Sequence, residues 1–140
     1  MKSVHDLVKG ARKVQQTILL VGDISDIYVT NFNTMMGDPN FTVEELSAIA
    51  FGYNRLLKSS SDLLLDLKEV TTATGLSMTD KERLDIINRI YGEVLEYKNL
   101  TWYYTRKNIG VSYLRSKEKG DAARVLSCLL YTSDAADDKA

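Results

Sequence analysis

The 140-residue chain contains one proline, one histidine and one cysteine; the single proline fits helices joined by short turns, and the scarcity of histidine closes classes of chemistry. Any histidine-rich metal site or histidine-dependent triad would have to draw all its imidazole from His5, near a frayed helix end, so His5 reads as a surface residue. No Glu-x-x-His occurs, which removes the carboxylate–histidine metal constellation of helix bundles. Glycine-rich phosphate loops are absent too: Gly75-Leu-Ser and Gly110-Val-Ser lack the lysine and the spacing. Serines are present, but no base stands ready to activate one. The net charge is -1 and no arm is polybasic, so the electrostatic footprint of a nucleic-acid binder is missing. No apolar run approaches the roughly 18 to 20 residues of a membrane span. Strand alternation, internal repeats and low-complexity tracts are likewise lacking.

What the chain does have is helical periodicity. Its organising stretch is residues 41–70, where Leu46, Ile49, Tyr53, Leu56, Ser60, Leu63, Leu67 and Val70 advance by threes and fours. Thr42 and Glu45 have the spacing of a capping box, and Phe41 and Leu46 that of a hydrophobic staple. Leu57 and Leu64 widen the stripe until one neighbour cannot cover it.

Before it, Ser3 is placed to cap a helix reaching Met36, with Asp6 near its N-terminal dipole. Its stripe reads Val4, Leu7, Ala11, Val14, Ile18, Val21, Tyr28, Phe32 and Met35, with Ser25 as the polar step and Ile24 and Ile27 alongside. Gly37-Asp-Pro-Asn40 stops it and makes the first two helices antiparallel neighbours. After the polar connector from Thr71 to Met78, Thr79 and Glu82 form a second capping box. The third helix carries Leu84, Ile87, Tyr91, Val94, Tyr97 or Lys98, and Leu100, with Ile86, Ile90 and Leu95 beside them. Asn108-Ile-Gly110 is read as its end, with a shorter segment through Val111, Tyr113, Leu114, Val125 and Leu126 beyond, interrupted at Lys119-Gly120. The fold class is therefore all-α: an antiparallel bundle of three long helices plus a short C-terminal helical segment.

Cys128-Leu-Leu-Tyr-Thr-Ser-Asp-Ala-Ala-Asp-Asp138 reads as an in-frame translation of the transposase-end adapter used to prepare sequencing libraries. On that reading residues 1–127 are a single helical domain and residues 128–140 are not native. The net charge of the native part becomes +1, from 17 basic and 16 acidic residues, and its cysteine count falls to zero.

The segment that draws most attention is Trp102-Tyr-Tyr104 with Arg106 and Lys107, since aromatics beside cations can stack on bases or pair with phosphate. Packing is the competing account, in which Tyr103 or Trp102 closes the end of the bundle and the cations favour a helix C-terminus. With Tyr113, these residues make the candidate interaction surface: Trp102, Tyr103, Tyr104, Arg106, Lys107 and Tyr113. The pairs Asp23/Asp26 and Asp62/Asp66 share helix faces but read as solvated surface, not as metal or acid–base sites. A cell-wall enzyme would need a carboxylate pair in a cleft and finds no support here. No catalytic, cofactor or metal residue is assigned.

Several segments together resemble a known family. They are Ser3-Val-His-Asp-Leu-Val-Lys-Gly-Ala-Arg-Lys-Val14, Met36-Gly-Asp-Pro-Asn-Phe-Thr-Val-Glu-Glu-Leu46, Ile49-Ala-Phe-Gly-Tyr53 and Leu76-Ser-Met-Thr-Asp-Lys-Glu-Arg83. Tyr103-Tyr-Thr-Arg-Lys-Asn-Ile109 and Val111-Ser-Tyr-Leu-Arg115 continue the likeness. These resemble the TraI transfer proteins of Bacteroides-type conjugative transposons, which are distinct from the relaxase of the same name. The resemblance implies a non-enzymatic accessory component of a conjugative type IV secretion apparatus, similar to TrbJ-type proteins and minor pilins. It implies contacts with other envelope proteins of that apparatus, with self-association as a further option. It also implies export to the periplasm or cell envelope by a leader that this chain lacks. The alternative from the residues alone is a module that binds single-stranded DNA through Trp102 to Lys107.

Overall fold

The computed structural model describes residues 4–72 and 78–139, with side chains described for residues 8–72, 78–124 and 126–127. It consists of α1 (Val4–Met36), α2 (Val43–Thr72) and α3 (Asp80–Lys139), and no strand occurs among the described residues. The proposed cap at Ser3 and the glycine of the second connector lie outside the described residues, as do the side chains of His5 and Asp6.

Both predicted helix starts form as the sequence requires. The Glu45 carboxylate accepts from the Thr42 amide at 3.0 Å while the Thr42 hydroxyl accepts from the Glu45 amide at 3.1 Å. Thr79 and Glu82 repeat the exchange at 3.2 and 3.1 Å. Each box satisfies donors that the first helical turn leaves without carbonyl partners. Phe41 and Leu46 pack in the same cluster, completing the staple. At the end of α1 the amides of Gly37 and Asp38 donate to Thr34 and Met35, so the last turn tightens. The chain turns without a left-handed glycine.

The helices run up, down and up. Lys13 stands over the Tyr91 ring and Asp23 pairs with Lys98, so α1 and α3 are parallel. On α2, Ile49 meets Tyr104 while Val70 meets Arg83, so α2 is antiparallel to α3. The core falls into two parts. Toward the α2–α3 connection it is aliphatic, built from Val21, Ile24, Leu67, Ile87, Ile90 and Val94. Toward the α1–α2 turn it is aromatic, with Met35, Phe41, Ile49 and Tyr53 buried and Tyr28, Phe32 and Tyr104 packed on them. Between the two, Ser60, Thr101 and Thr105 are fully buried. Each returns its proton to a carbonyl one turn back, at 2.7 to 2.8 Å, so small polar side chains enter the core with their donors satisfied.

Two expectations need correction. In the N-terminal half of α1 the buried stripe is rotated: Thr17 is fully buried while Ile18 is 52% exposed and Ala11 is also outside. Thr17 can take the inner place because its hydroxyl donates to Lys13 at 2.7 Å. Second, α3 does not end at Asn108–Gly110, nor break at Lys119–Gly120, and there is no separate C-terminal segment. Asn108 donates to the Tyr104 carbonyl at 2.9 Å instead of turning the chain, and Gly110 keeps a negative φ. The extension is also held from outside, by the polar contacts described next.

Candidate functional site

Because α3 continues as one helix, the aromatic–basic segment is divided between two sides. Tyr104 turns inward. Its ring meets Tyr53 edge-on, with centroids 5.0 Å apart, and its hydroxyl donates to the Ile49 carbonyl at 3.1 Å. It lies directly on Gly52, where a Cβ would overlap the phenol oxygen. Tyr104 therefore closes this part of the bundle, not Trp102 or Tyr103 as the packing account had it. Burial pushes the Tyr104 and Tyr53 phenols above their ordinary range. The Tyr53 hydroxyl meets Thr105 Oγ1 at 2.6 Å and stacks its ring on Tyr28.

The other five residues remain outside. Trp102 is 39% exposed and Tyr113 is 66% exposed, and Arg106 lies between them on the same flank with Ile109. Tyr103 and Lys107 occupy the next flank, the Lys107 ammonium 5.5 Å from the centre of the Tyr103 ring. α3 continues past these cations to Lys139, so they do not stand at its C-terminus as the packing account had it. Gly22 carries open space and Ser60 is already used inside the bundle; Gly10 makes ordinary contact with Leu84, whereas Gly52 sits at a close approach to Tyr104.

A polar clasp that reasoning from the sequence misses ties the α1–α2 turn to α3. Arg115 donates to both Glu45 oxygens, at 2.9 and 2.7 Å, and to the Asn40 carbonyl at 2.7 Å. Asn40 reaches Ser116 at 2.7 Å and accepts from Lys119 at 2.7 Å, and Ser112 donates to Asp38. The Arg115 guanidinium, then the Thr42 amide, hold the Glu45 carboxyl down at about 2. Asp38 is lowered in the same direction, first by the Ser112 hydroxyl and then by the Asn40 amide. Ser112, Arg115, Ser116 and Lys119 share one helix face by their spacing, which is a legible signal; their partner, a turn 75 residues earlier, is not.

A groove of about 620 Å³ runs between α2 and α3, with Asp62 and Asp66 on one wall and Glu93 and Glu96 on the other. Asp62 and Asp66 are both exposed, as the sequence suggests, and Glu93 and Glu96 face them across the groove. Lys58 pairs with Asp62 at 3.0 Å and Arg89 with Glu93 at 3.2 Å. No three His, Cys, Asp or Glu side chains among the described residues are placed to share a metal ion. No described helix is long and apolar enough to cross a membrane. Set against models of known protein families, curated proteins and solved structures, the chain matches none.

Proposed function

We propose that this chain is a non-enzymatic docking component. On the likeness of its segments to the TraI transfer proteins, we place it in the envelope part of a conjugative DNA-transfer apparatus, on the periplasmic side. The observation that carries the docking role is the flank of α3 bearing Trp102, Arg106, Ile109 and Tyr113: two large aromatics and an isoleucine in solvent on a helix fixed from its other side. Exposed aromatics with an arginine among them are the composition of energetically dominant interface residues. A rigid helix presenting such residues at spacings of three and four fits a groove on a partner.

The test is affinity capture from conjugating cells with the wild-type chain and with Trp102→Ala/Tyr113→Ala, a variant whose changed side chains lie outside the core. Other transfer proteins should come down with the wild type and be lost from the variant at unchanged helicity. Recovery of no transfer protein by the wild type would overturn the reading. Single-stranded DNA is the competing partner, favoured by Arg106 and Lys107 beside Trp102 and Tyr103. A gel shift at low salt that disappears at high salt would establish it, and the lack of any shift at low salt removes it.

A further inference from the structure

A different flank of α3 carries a self-complementary pattern. Glu96, Leu100, Tyr103, Lys107, Val111 and Leu114 follow one another at steps of four, three, four, four and three, which places them in one stripe along the helix. Its apolar members are in solvent: Leu100 is 46% exposed, Tyr103 52% and Leu114 57%. One end of the stripe is acidic, where Glu96 lies in the α2–α3 groove with Asp62, Asp66 and Glu93. Lys107 stands eleven residues further along, ahead of Val111 and Leu114. Among the described residues Glu96 and Asp66 have no ion-pair partner, and Lys107 contacts only the Tyr103 ring. Glu96 and Lys107 are separated by about 16 Å of helix, too far to neutralise each other within one chain.

We propose that a second copy of the chain docks on this stripe, the two α3 helices lying antiparallel about a two-fold axis. With the axis between residues 101 and 102, Leu100 of each copy faces Tyr103 of the other, and Glu96 of each faces Lys107 of the other. The apolar pairs form the centre. Each lysine enters the acidic groove of the opposite copy, where Asp66 and Glu96 await a cation, and the two ion pairs flank the centre symmetrically. A two-fold requires this self-complementarity, in which one patch supplies both halves of every contact. A parallel arrangement would set Glu96 on Glu96 and Lys107 on Lys107, so charge chooses the antiparallel one. The flank with Trp102 and Tyr113 is left uncovered, so the dimer stands whether or not the chain serves in DNA transfer.

Sedimentation equilibrium of the whole chain over a concentration series tests the proposal. The expected result is a reversible dimer of the 15.8 kDa chain that weakens as salt is raised. Lys107→Glu and Glu96→Lys, both at solvent-exposed positions, should each raise the dissociation constant by about tenfold or more, since each creates two like-charge contacts. The combined exchange E96K/K107E should return it to within about threefold of the wild type, which a folding defect could not do. A monomer at every concentration overturns the proposal. So does a dimer indifferent to Lys107→Glu, a combined exchange that restores nothing, or a monomer that instead takes up single-stranded oligonucleotide through Lys107.

Discussion

Replacing Gly52 with alanine should destabilise the bundle, although in an ordinary helix interior the same change gains about 1 kcal/mol. The reason is Tyr104, whose hydroxyl occupies the space a Cβ at position 52 would need. The phenol has to swing aside, and three contributions are lost. Its hydrogen bond to Ile49 is worth about 1 kcal/mol. The edge-on contact with Tyr53 is worth about 1 kcal/mol more. Partial exposure of the ring adds roughly another 1 kcal/mol. Set against the helix gain, the net loss is about 2 kcal/mol, or a fall in midpoint of roughly 6 to 10 °C for a domain of this size.

Urea unfolding followed by far-UV circular dichroism measures this directly, provided the slope is unchanged between variants. The reasoning makes a sharper demand in a Tyr104→Ala background. With the obstruction gone, Gly52→Ala should become stabilising by about 1 kcal/mol, so the effect changes sign. Gly22, where an added Cβ meets nothing within 4 Å, supplies the control and should gain about 1 kcal/mol on its own. A Gly52→Ala variant as stable as the wild type, or one equally destabilised with and without Tyr104, would refute the account.

Three further outcomes follow from the same geometry. Thr105 spends its proton on Thr101, so Tyr53 donates to Thr105; Thr105→Val should then cost about 1 to 3 kcal/mol by stranding the Tyr53 hydroxyl, and Thr105→Val/Tyr53→Phe should cost less than the single change, both read by urea unfolding. The Glu45 carboxyl titrates at about 2 in the folded chain against 4.5 ordinarily, and a lowered pKa contributes stability that is whole above pH 4.5 and lost as the pH falls toward 2. Thermal midpoints measured across that window should therefore drop less steeply for Arg115→Gln than for the wild type. Ile24→Ala should cost about 2 to 5 kcal/mol in the same denaturation assay, whereas Ile18→Ala should stay within about 0.5 kcal/mol, because only Ile24 is buried.

The all-α class, both capping boxes and the α2 stripe are legible because each depends on residues within a turn or two of one another. Leu46 to Val70 needed only their own spacing, and Thr42 and Glu45 only three residues. The errors have a common cause. Hydropathy counts Thr17, Thr101 and Thr105 as polar, yet in a helix a threonine hydroxyl returns to the carbonyl four residues back and the remainder is a methyl. For the converse reason Leu100 and Ile18 read as inward-facing, although both stand in solvent. Asn108 and Gly110 looked like a helix stop because local propensity says so, and what overrides it is Arg115 on Glu45, a contact 70 residues apart in sequence. For the candidate surface, periodicity could place Trp102 and Tyr113 on one flank. It could not say which flank faced out, since that depends on Gly52 having no side chain.

The rotation of α3 about its own axis is therefore the quantity on which any surface function depends, and apolar packing alone sets it weakly. Stripes of Ile, Leu and Val repeat every three or four residues, so sliding one helix by a turn leaves much of such a core paired. Three contacts remove that freedom. Arg83 donates to Val70 at one end, the Tyr104 phenol lies on Gly52 near the middle, and Arg115 spans Glu45 and Asn40 at the other. None of these survives a shift of one residue, which would carry Tyr103 toward Gly52 and take Arg115 away from Glu45. Removing the clasp with Arg115→Gln should thus lower stability only modestly, as expected of a partly exposed ion pair. Its larger effect should be on order in residues 108–119, seen as faster amide exchange there while the amides around Ile90 and Val94 keep their protection. Equal exchange in both segments would show that α3 is held by its apolar face alone, and would separate the clasp from the presentation of Trp102 and Tyr113.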